Sequence, residues 1–256
     1  MESKKEIHSE LIDSVLNYIN SQSNQFILKG GTALFKCYGL NRFSEDIDLD
    51  ALSNQNIIKL LETYCRKNRL PYSIQKNTST VKRLSIKYVE VLTGQIPDDF
   101  QTTGLKIETS YRKKGLIPTE KICSVNGILT YKISELFKQK LEAYNSRNKI
   151  RDLYDICYIY KNYEKELTTD NKLSLIDAFS YKGLEEVDTL LLEQNDQLIN
   201  KTKLEDEVLS LYDHLGLLED NFEYTSLQDR LDEKINEQIH KQNTSTGRLF
   251  EDEREI

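Results

Sequence analysis

No apolar run in this 256-residue chain approaches the ~20 residues that a helix needs to cross a bilayer. The opening segment, Met1-Glu2-Ser3-Lys4-Lys5-Glu6, lacks the apolar core of a signal peptide. Cysteine is sparse as well. Cys37, Cys65, Cys123 and Cys157 are scattered, with no Cys-x-x-Cys and no neighbouring histidine pair. That spacing argues against zinc and for reduced thiols in a cytoplasm. His8, His214 and His240 stand too far apart in sequence to suggest a triad or a metal site. Only 3 prolines and 10 glycines interrupt the chain, and apolar (38%) and charged (30%) residues are balanced as in a helix-rich globular protein. The length suffices for one large or two modest domains.

The net charge of −7 looks unsuited to a nucleic-acid partner until the chain is divided. Residues 1–161 hold 25 Lys and Arg against 18 Asp and Glu, whereas residues 162–256 hold 10 against 24. A basic first part suggests contact with a polyanion, and the acidic remainder suggests a separate role or a solubilising surface.

Periodicity predicts the element order. Ile7, Leu11, Ile12, Val15 and Ile19 space out an amphipathic helix over 6–20. Gln25 to Leu28 form a short apolar strand, and Gly30-Gly31 a turn. A helix from Ala33 to about Tyr38 follows, with Thr32 as its cap and Gly39 as its stop. Asp46 to Asp50 read as the next strand, and Ile57 to Arg69 as a helix closed by Pro71. Tyr72–Ile74, Leu84–Val91 and Leu105–Thr109 are strand-like, with turn residues between them. Past about Tyr131 the pattern is helical, and 241–256 reads as a frayed tail. The expected fold is α+β: a mixed sheet flanked by helices over 1–128, then a helical bundle over 129–256 whose segment 129–160 completes the site.

The chemistry concentrates in residues 28 to 50. Ile47 and Leu49 alternate with Asp46 and Asp48, so the two carboxylates share the opposite side of a strand. Adjacent carboxylates repel unless a cation lies between them, and hard oxygen donors suit Mg²⁺ or Mn²⁺. A calcium loop is excluded, because Ile47 and Leu49 are apolar and glycine is absent from the sixth position. Gly30-Gly31 before a helix offers free N–H groups for a phosphate, though no Gly-Lys-Ser/Thr follows to make a Walker loop. Thr32 and Ser44 supply hydroxyls nearby. Two-metal chemistry calls for a third carboxylate. Glu108, alternating with Leu105 and Ile107, is the first candidate and Glu90 the competitor. Further on, Lys140, Arg147 and Arg151 stand seven and four apart, as on one helical stripe. By themselves they read as a basic helix face, with Asp152 and Asp155 as salt-bridge partners. The clusters Arg66-Lys67-Asn68-Arg69, Lys82-Arg83 and Arg112-Lys113-Lys114 could meet an RNA backbone or simply be solvated.

The glycine pair, short helix and Asp-x-Asp strand together resemble the DNA polymerase β-like nucleotidyltransferase superfamily. Lys29-Gly30-Gly31-Thr32-Ala33-Leu34 with Arg42-Phe43-Ser44-Glu45-Asp46-Ile47-Asp48-Leu49 resembles, more narrowly, the AbiEii/AbiGii toxin family. Lys140-Leu141-Glu142-Ala143, Arg147 and Arg151-Asp152-Leu153-Tyr154-Asp155-Ile156 are similar to that family's downstream block. The resemblance covers roughly 25–160. It implies Mg²⁺- or Mn²⁺-dependent transfer of an NMP from an NTP to an acceptor hydroxyl. Asp46, Asp48 and Glu108 would hold metal, while Gly30, Gly31, Thr32, Ser44, Lys140, Arg147, Arg151, Asp152 and Asp155 would handle the nucleotide. It also implies a toxin of a toxin–antitoxin or phage-defence system, with tRNA as acceptor and a cognate antitoxin as partner. Two alternatives are a non-catalytic interaction protein on a degenerate fold, and kinase-type transfer of the γ-phosphoryl group at the same site.

Overall fold

The computed structural model describes residues 4–87 and 104–218 of the chain. Helix α1 (Lys4–Gln22) leads into strand β1 (Phe26–Lys29), helix α2 (Gly30–Cys37) and strand β2 (Ile47–Ala51). Next come helix α3 (Ile57–Asn68) and strands β3 (Tyr72–Asn77), β4 (Val81–Lys87) and β5 (Gly104–Ser110). Strands β6 (Ile122–Val125) and β7 (Ile128–Tyr131) precede helices α4 (Ile133–Arg147), α5 (Ile150–Tyr163), α6 (Thr169–Glu193) and α7 (Lys201–His214).

The strands form one mixed sheet in the order β3-β4-β5-β2-β1-β7-β6. β1 runs antiparallel to β2 and parallel to β7, and β2 runs parallel to β5. The register places Asp48 opposite Glu108, so the parallel pairing of β2 and β5 sets these two acids side by side. Alternation does the rest. Ile47, Leu49, Leu105 and Ile107 are at most 2% exposed and supply one apolar face, which leaves Asp48, Lys106 and Glu108 to the other.

A single apolar core runs from α1 (Ile12, Val15, Leu16) through the sheet to α5, α6 and α7 (Ile156, Phe179, Tyr212). The helical part is therefore packed into the same core as the sheet. All four cysteines are free, and burial pushes the Cys65 thiol up to about 11 and the Cys37 thiol to about 12. Both stay protonated as packing residues. No helix among the described residues is long and apolar enough to cross a membrane.

Three expectations need correction. Thr32 does not cap α2: the helix starts two residues earlier at Gly30, with Lys29 at its N-cap position, and Thr32 lies inside it. Lys140, Arg147 and Arg151 do not share one helical stripe, because Asn148 in the left-handed conformation (φ 46°) ends α4 and α5 starts afresh at Ile150. The hairpin β6–β7 joins the sheet where no separate strands were anticipated, its turn made by Asn126 and Gly127, both at positive φ. Glu90, the far end of the strand predicted to reach Val91, and the predicted tail 241–256 lie outside the described residues.

Candidate active site

Helix α2 begins where the sheet ends. Lys29 is the last residue of β1, and Gly30 turns the chain at φ +73°, a conformation open to glycine at little cost. A Cβ at Gly30 would stand 3.3 Å from Asp48 Oδ2, and one at Gly31 would stand 2.9 Å from Ser44 Oγ and 3.1 Å from Arg42 Nη2. Both glycines are therefore held small by neighbours that belong to the site. No side chain caps the first turn of α2. Its opening N–H groups and the positive end of its dipole remain available to an anion.

A cleft of about 780 Å³ opens in front of this turn. Gly30, Gly31, Ser44, Asp46 and Asp48 line it from the sheet side, and Lys140, Arg147, Arg151 and Asp152 from the helical side. The two sequence blocks thus meet across one space. Thr32, Asp155 and Glu108 are not on the lining. Thr32 is 1% exposed, its hydroxyl bonded to Ser44 Oγ at 2.8 Å and to the Asp46 carbonyl, so it braces the loop that carries Asp46. Glu108 sits one strand over from Asp48, its carboxylate taken by Arg83 (Nε to Oε2, 2.7 Å). A second cavity of about 490 Å³, between α5 and α7 and lined by Tyr160, Lys161, Lys203 and Glu207, holds none of the predicted site residues.

Along the cleft wall and behind it runs an ion-pair network, anchored on buried aspartates, that sequence reasoning left incomplete. Asp155, fully buried, accepts from Arg42 Nε (2.7 Å) and Nη2 (2.6 Å) and pairs with Lys140 Nζ at 2.6 Å. Asp152, equally buried, accepts from Arg147 Nε (2.7 Å) and Nη2 (2.8 Å) and from Lys140 at 3.3 Å. Lys140 therefore bridges both aspartates, and Arg42 ties the loop before β2 to α5. Burial alone would raise the Asp152 carboxyl, but the Arg147 hydrogen bonds and the Lys140 and Arg147 charges hold it below the usual carboxylate range. Arg42 stands in the first motif block, yet nothing in its spacing reveals a partner more than a hundred residues away.

The acidic part of the chain also reaches the site. Arg151 pairs with Asp196, from the α6–α7 connection, and at 3.5 Å with Glu45. Gln194 donates to the Asn148 carbonyl (2.8 Å) and accepts from the Ile150 N–H (3.1 Å), clipping the break between α4 and α5.

Asp46, Asp48 and Glu108 offer the hard oxygen donors that Mg²⁺ or Mn²⁺ prefers. Burial raises the Asp48 carboxyl above its ordinary range, and the charges of Asp46 and Glu108 add to it while Lys29 and Lys106 oppose. A carboxylate pressed in this way gains from a cation. The three acids do not stand as a closed cluster: no ready-made group of three metal-binding side chains occurs among the described residues. Lys106 on Asp46 and Arg83 on Glu108 hold two of the carboxylates.

A family model described as "Nucleotidyl transferase AbiEii toxin, Type IV TA system" matches residues 16–238. Among solved structures, JHP933 from Helicobacter pylori is similar, with a TM-score of 0.66 and 27% identity over 96% of this chain and 99% of that one. A second H. pylori protein, provisionally named a nucleotidyltransferase, has a TM-score of 0.62 and 24% identity over 86% of this chain and 100% of its own, a likeness of fold. No curated protein matches the chain. The matched region runs far beyond residue 160, where the sequence resemblance stops, and takes in most of the acidic part.

Proposed function

The chain belongs to the AbiEii nucleotidyl transferase toxin family and is a nucleotidyltransferase, and we propose that it moves an NMP from an NTP to an acceptor hydroxyl, releasing pyrophosphate. The observation that carries this reading is the meeting of unlike groups in one cleft: the carboxylates of Asp46 and Asp48 at the start of β2, an uncapped helix start at Gly30-Gly31, and cations from α4 and α5. Asp46 and Asp48, with Glu108 beside them in register, would hold Mg²⁺ or Mn²⁺. A divalent ion there supplies charge neutralisation at the reacting phosphate and lowers the pKa of a bound hydroxyl. The Gly30 and Gly31 N–H groups and the Ser44 hydroxyl would bind triphosphate oxygens. Lys140 and Arg147 would place positive charge where the pyrophosphate leaves, each held by Asp152. Arg151, anchored by Asp196, would bound the same cleft. Thr32 and Asp155 would act through the groups they brace.

In this reading the acceptor is tRNA or another RNA, and the protein is the toxin of a toxin–antitoxin or phage-defence pair with a cognate antitoxin. The sheet and the helices after Tyr131 would form the two walls of the nucleotide cleft. Incubating the protein with each α-³²P NTP, Mg²⁺ and total tRNA tests this directly. Label on RNA is expected, and it should vanish with Asp48→Asn while the melting temperature holds or rises, since that change relieves carboxylate repulsion. Wild-type transfer by Asp48→Asn would refute the metal assignment. Label from γ-³²P NTP alone would convert the reading to kinase-type transfer.

A further inference from the structure

Of the three carboxylates read as metal ligands, Asp46 on the cleft wall and Glu108 beside it in register already carry a cation, and both cations come from the sheet. Lys106, two residues before Glu108 on β5, donates its ammonium to Asp46 Oδ2. Arg83, opposite Glu108 on β4, donates Nε and Nη2 to Glu108 Oε2. No salt bridge closes on Asp48 among the described residues. The two pairs differ in what they can release. Arg83 presents a planar fork to one carboxylate oxygen, a geometry that fixes orientation. Lys106 presents a compact charge on a flexible stem; its pair with Asp46 (39% and 37% exposed) is about as exposed as the Arg83–Glu108 pair (36% and 30%), so the two differ in geometry rather than in burial. An exposed pair of this kind is weak and exchanges readily. It also occupies carboxylate lone pairs that a hard cation needs, so Asp46 cannot serve both at full strength.

Resting on the nucleotidyltransferase reading above, we propose that Lys106 is a positioning residue that couples metal loading to nucleotide loading. In the nucleotide-free protein its ammonium neutralises Asp46 and opposes divalent binding. When a triphosphate enters the cleft, which Lys106 also lines, the ammonium passes from carboxylate to phosphate and Asp46 is freed. Divalent ion and NTP then bind with positive cooperativity, and the free protein holds the ion weakly. The coupling is reciprocal, as any binding linkage must be.

The test measures Mn²⁺ affinity of the full chain by calorimetry, with and without a non-hydrolysable α,β-methylene NTP, in wild type, Lys106→Met, Arg83→Met and Asp48→Asn. Without nucleotide, Lys106→Met should bind Mn²⁺ about three- to fivefold more tightly than wild type, the scale set by losing one exposed ion pair. Nucleotide should then improve its Mn²⁺ affinity several-fold less than it improves the wild type's. A merely structural pair would give the opposite sign, since loosening Asp46 weakens the site. Arg83→Met should weaken Mn²⁺ binding in both conditions, as a fixed orienting contact would. Unchanged or weaker nucleotide-free binding by Lys106→Met, with Asp48→Asn still abolishing it, overturns the role of Lys106 alone. Equal Mn²⁺ binding by Asp48→Asn and wild type overturns the metal reading and this inference with it.

Discussion

Asp155→Asn is the sharpest probe of the network behind the cleft. Asp155 is fully buried and takes two hydrogen bonds from Arg42, whose side chain is 3% exposed, and one ion pair from Lys140, whose side chain is 10% exposed. Asparagine keeps the shape and one acceptor oxygen but removes the charge that two buried cations share. Asp152 would remain as the carboxylate that accepts from Lys140, and it already serves Arg147. Removing one partner of a buried pair costs about 3–5 kcal/mol, because the remaining charge stays desolvated. For a chain of this size each kcal/mol lowers the melting temperature by about 2–4 °C, so a fall of roughly 6–20 °C is expected. Urea denaturation gives the free energy and differential scanning fluorimetry the temperature. A double-mutant cycle with Arg42→Met separates the pair from its surroundings: the double variant should lose far less than the sum of the singles. NTP affinity should fall as well, since Lys140 and the loop before Asp46 both lose their anchor. A loss below about 1 kcal/mol, or strict additivity in the cycle, would show that Asp155 is not the counter-ion of Arg42.

Gly31→Ala should raise the KM for NTP several-fold and cost about 1 kcal/mol in urea denaturation, because its Cβ would press on Ser44 Oγ and Arg42 Nη2; unchanged kinetics would detach Gly31 from the site. Burial lowers the pKa of His8 below 6.5, outweighing the hydrogen bond to the Glu45 carbonyl (2.6 Å) that would raise it. The folded protein thus holds His8 neutral while the unfolded chain takes a proton near pH 6.5. Stability is full above that pH and should fall as pH drops below it, by up to about 1.4 kcal/mol per pH unit. His8→Asn should flatten the slope between pH 6.5 and 5.5, and an identical slope would assign it to other groups. Tyr144→Phe should raise the melting temperature by about 2–4 °C, since the buried Tyr144 hydroxyl has no hydrogen-bond partner among the described residues; a fall would reveal one.

What could be read from the sequence was whatever depends on local period. Alternation in Asp46-Ile47-Asp48-Leu49 placed Asp48 on the polar side of β2, with Asp46 the residue just before the strand begins, and the same rule placed Glu108 away from the core. The register that sets Asp48 beside Glu108 depends on a parallel pairing across sixty residues, which no local pattern encodes. Thr32 has a capping residue's chemistry and a helix follows it, but the backbone enters the helix at Gly30 because glycine accepts positive φ there. The stripe of Lys140, Arg147 and Arg151 failed for a related reason. Asn148 is tolerant of the left-handed conformation, and in this chain it was the stop signal to weigh. The Asn126-Gly127 pair was an equally legible hairpin signal. Arg42 was illegible in principle, for its partner is defined only by the folded chain.

The division into a basic first part and an acidic remainder suggested two separable functions, and the structure argues against separation. Phe179 of α6 stacks on Tyr212 of α7 with ring centroids 5.0 Å apart, and Phe179 meets Tyr144 of α4 at 6.1 Å. Tyr144 lies one turn after Lys140, so the face that buries the acidic helices also fixes the lysine that reaches the cleft. Asp196 neutralises Arg151, and Gln194 bridges the break between α4 and α5 that lets α5 start where Asp152 and Asp155 can meet α4. A fragment of residues 1–161 would expose the α4 and α5 faces that Leu175, Phe179, Leu204 and Val208 cover. It would then fail to hold Lys140, Arg147 and Arg151 in place. The acidic residues that matter to the site are counter-ions placed by packing. The sign of a charge run therefore says less about its role than the position of one member, Asp196, in the α6–α7 connection.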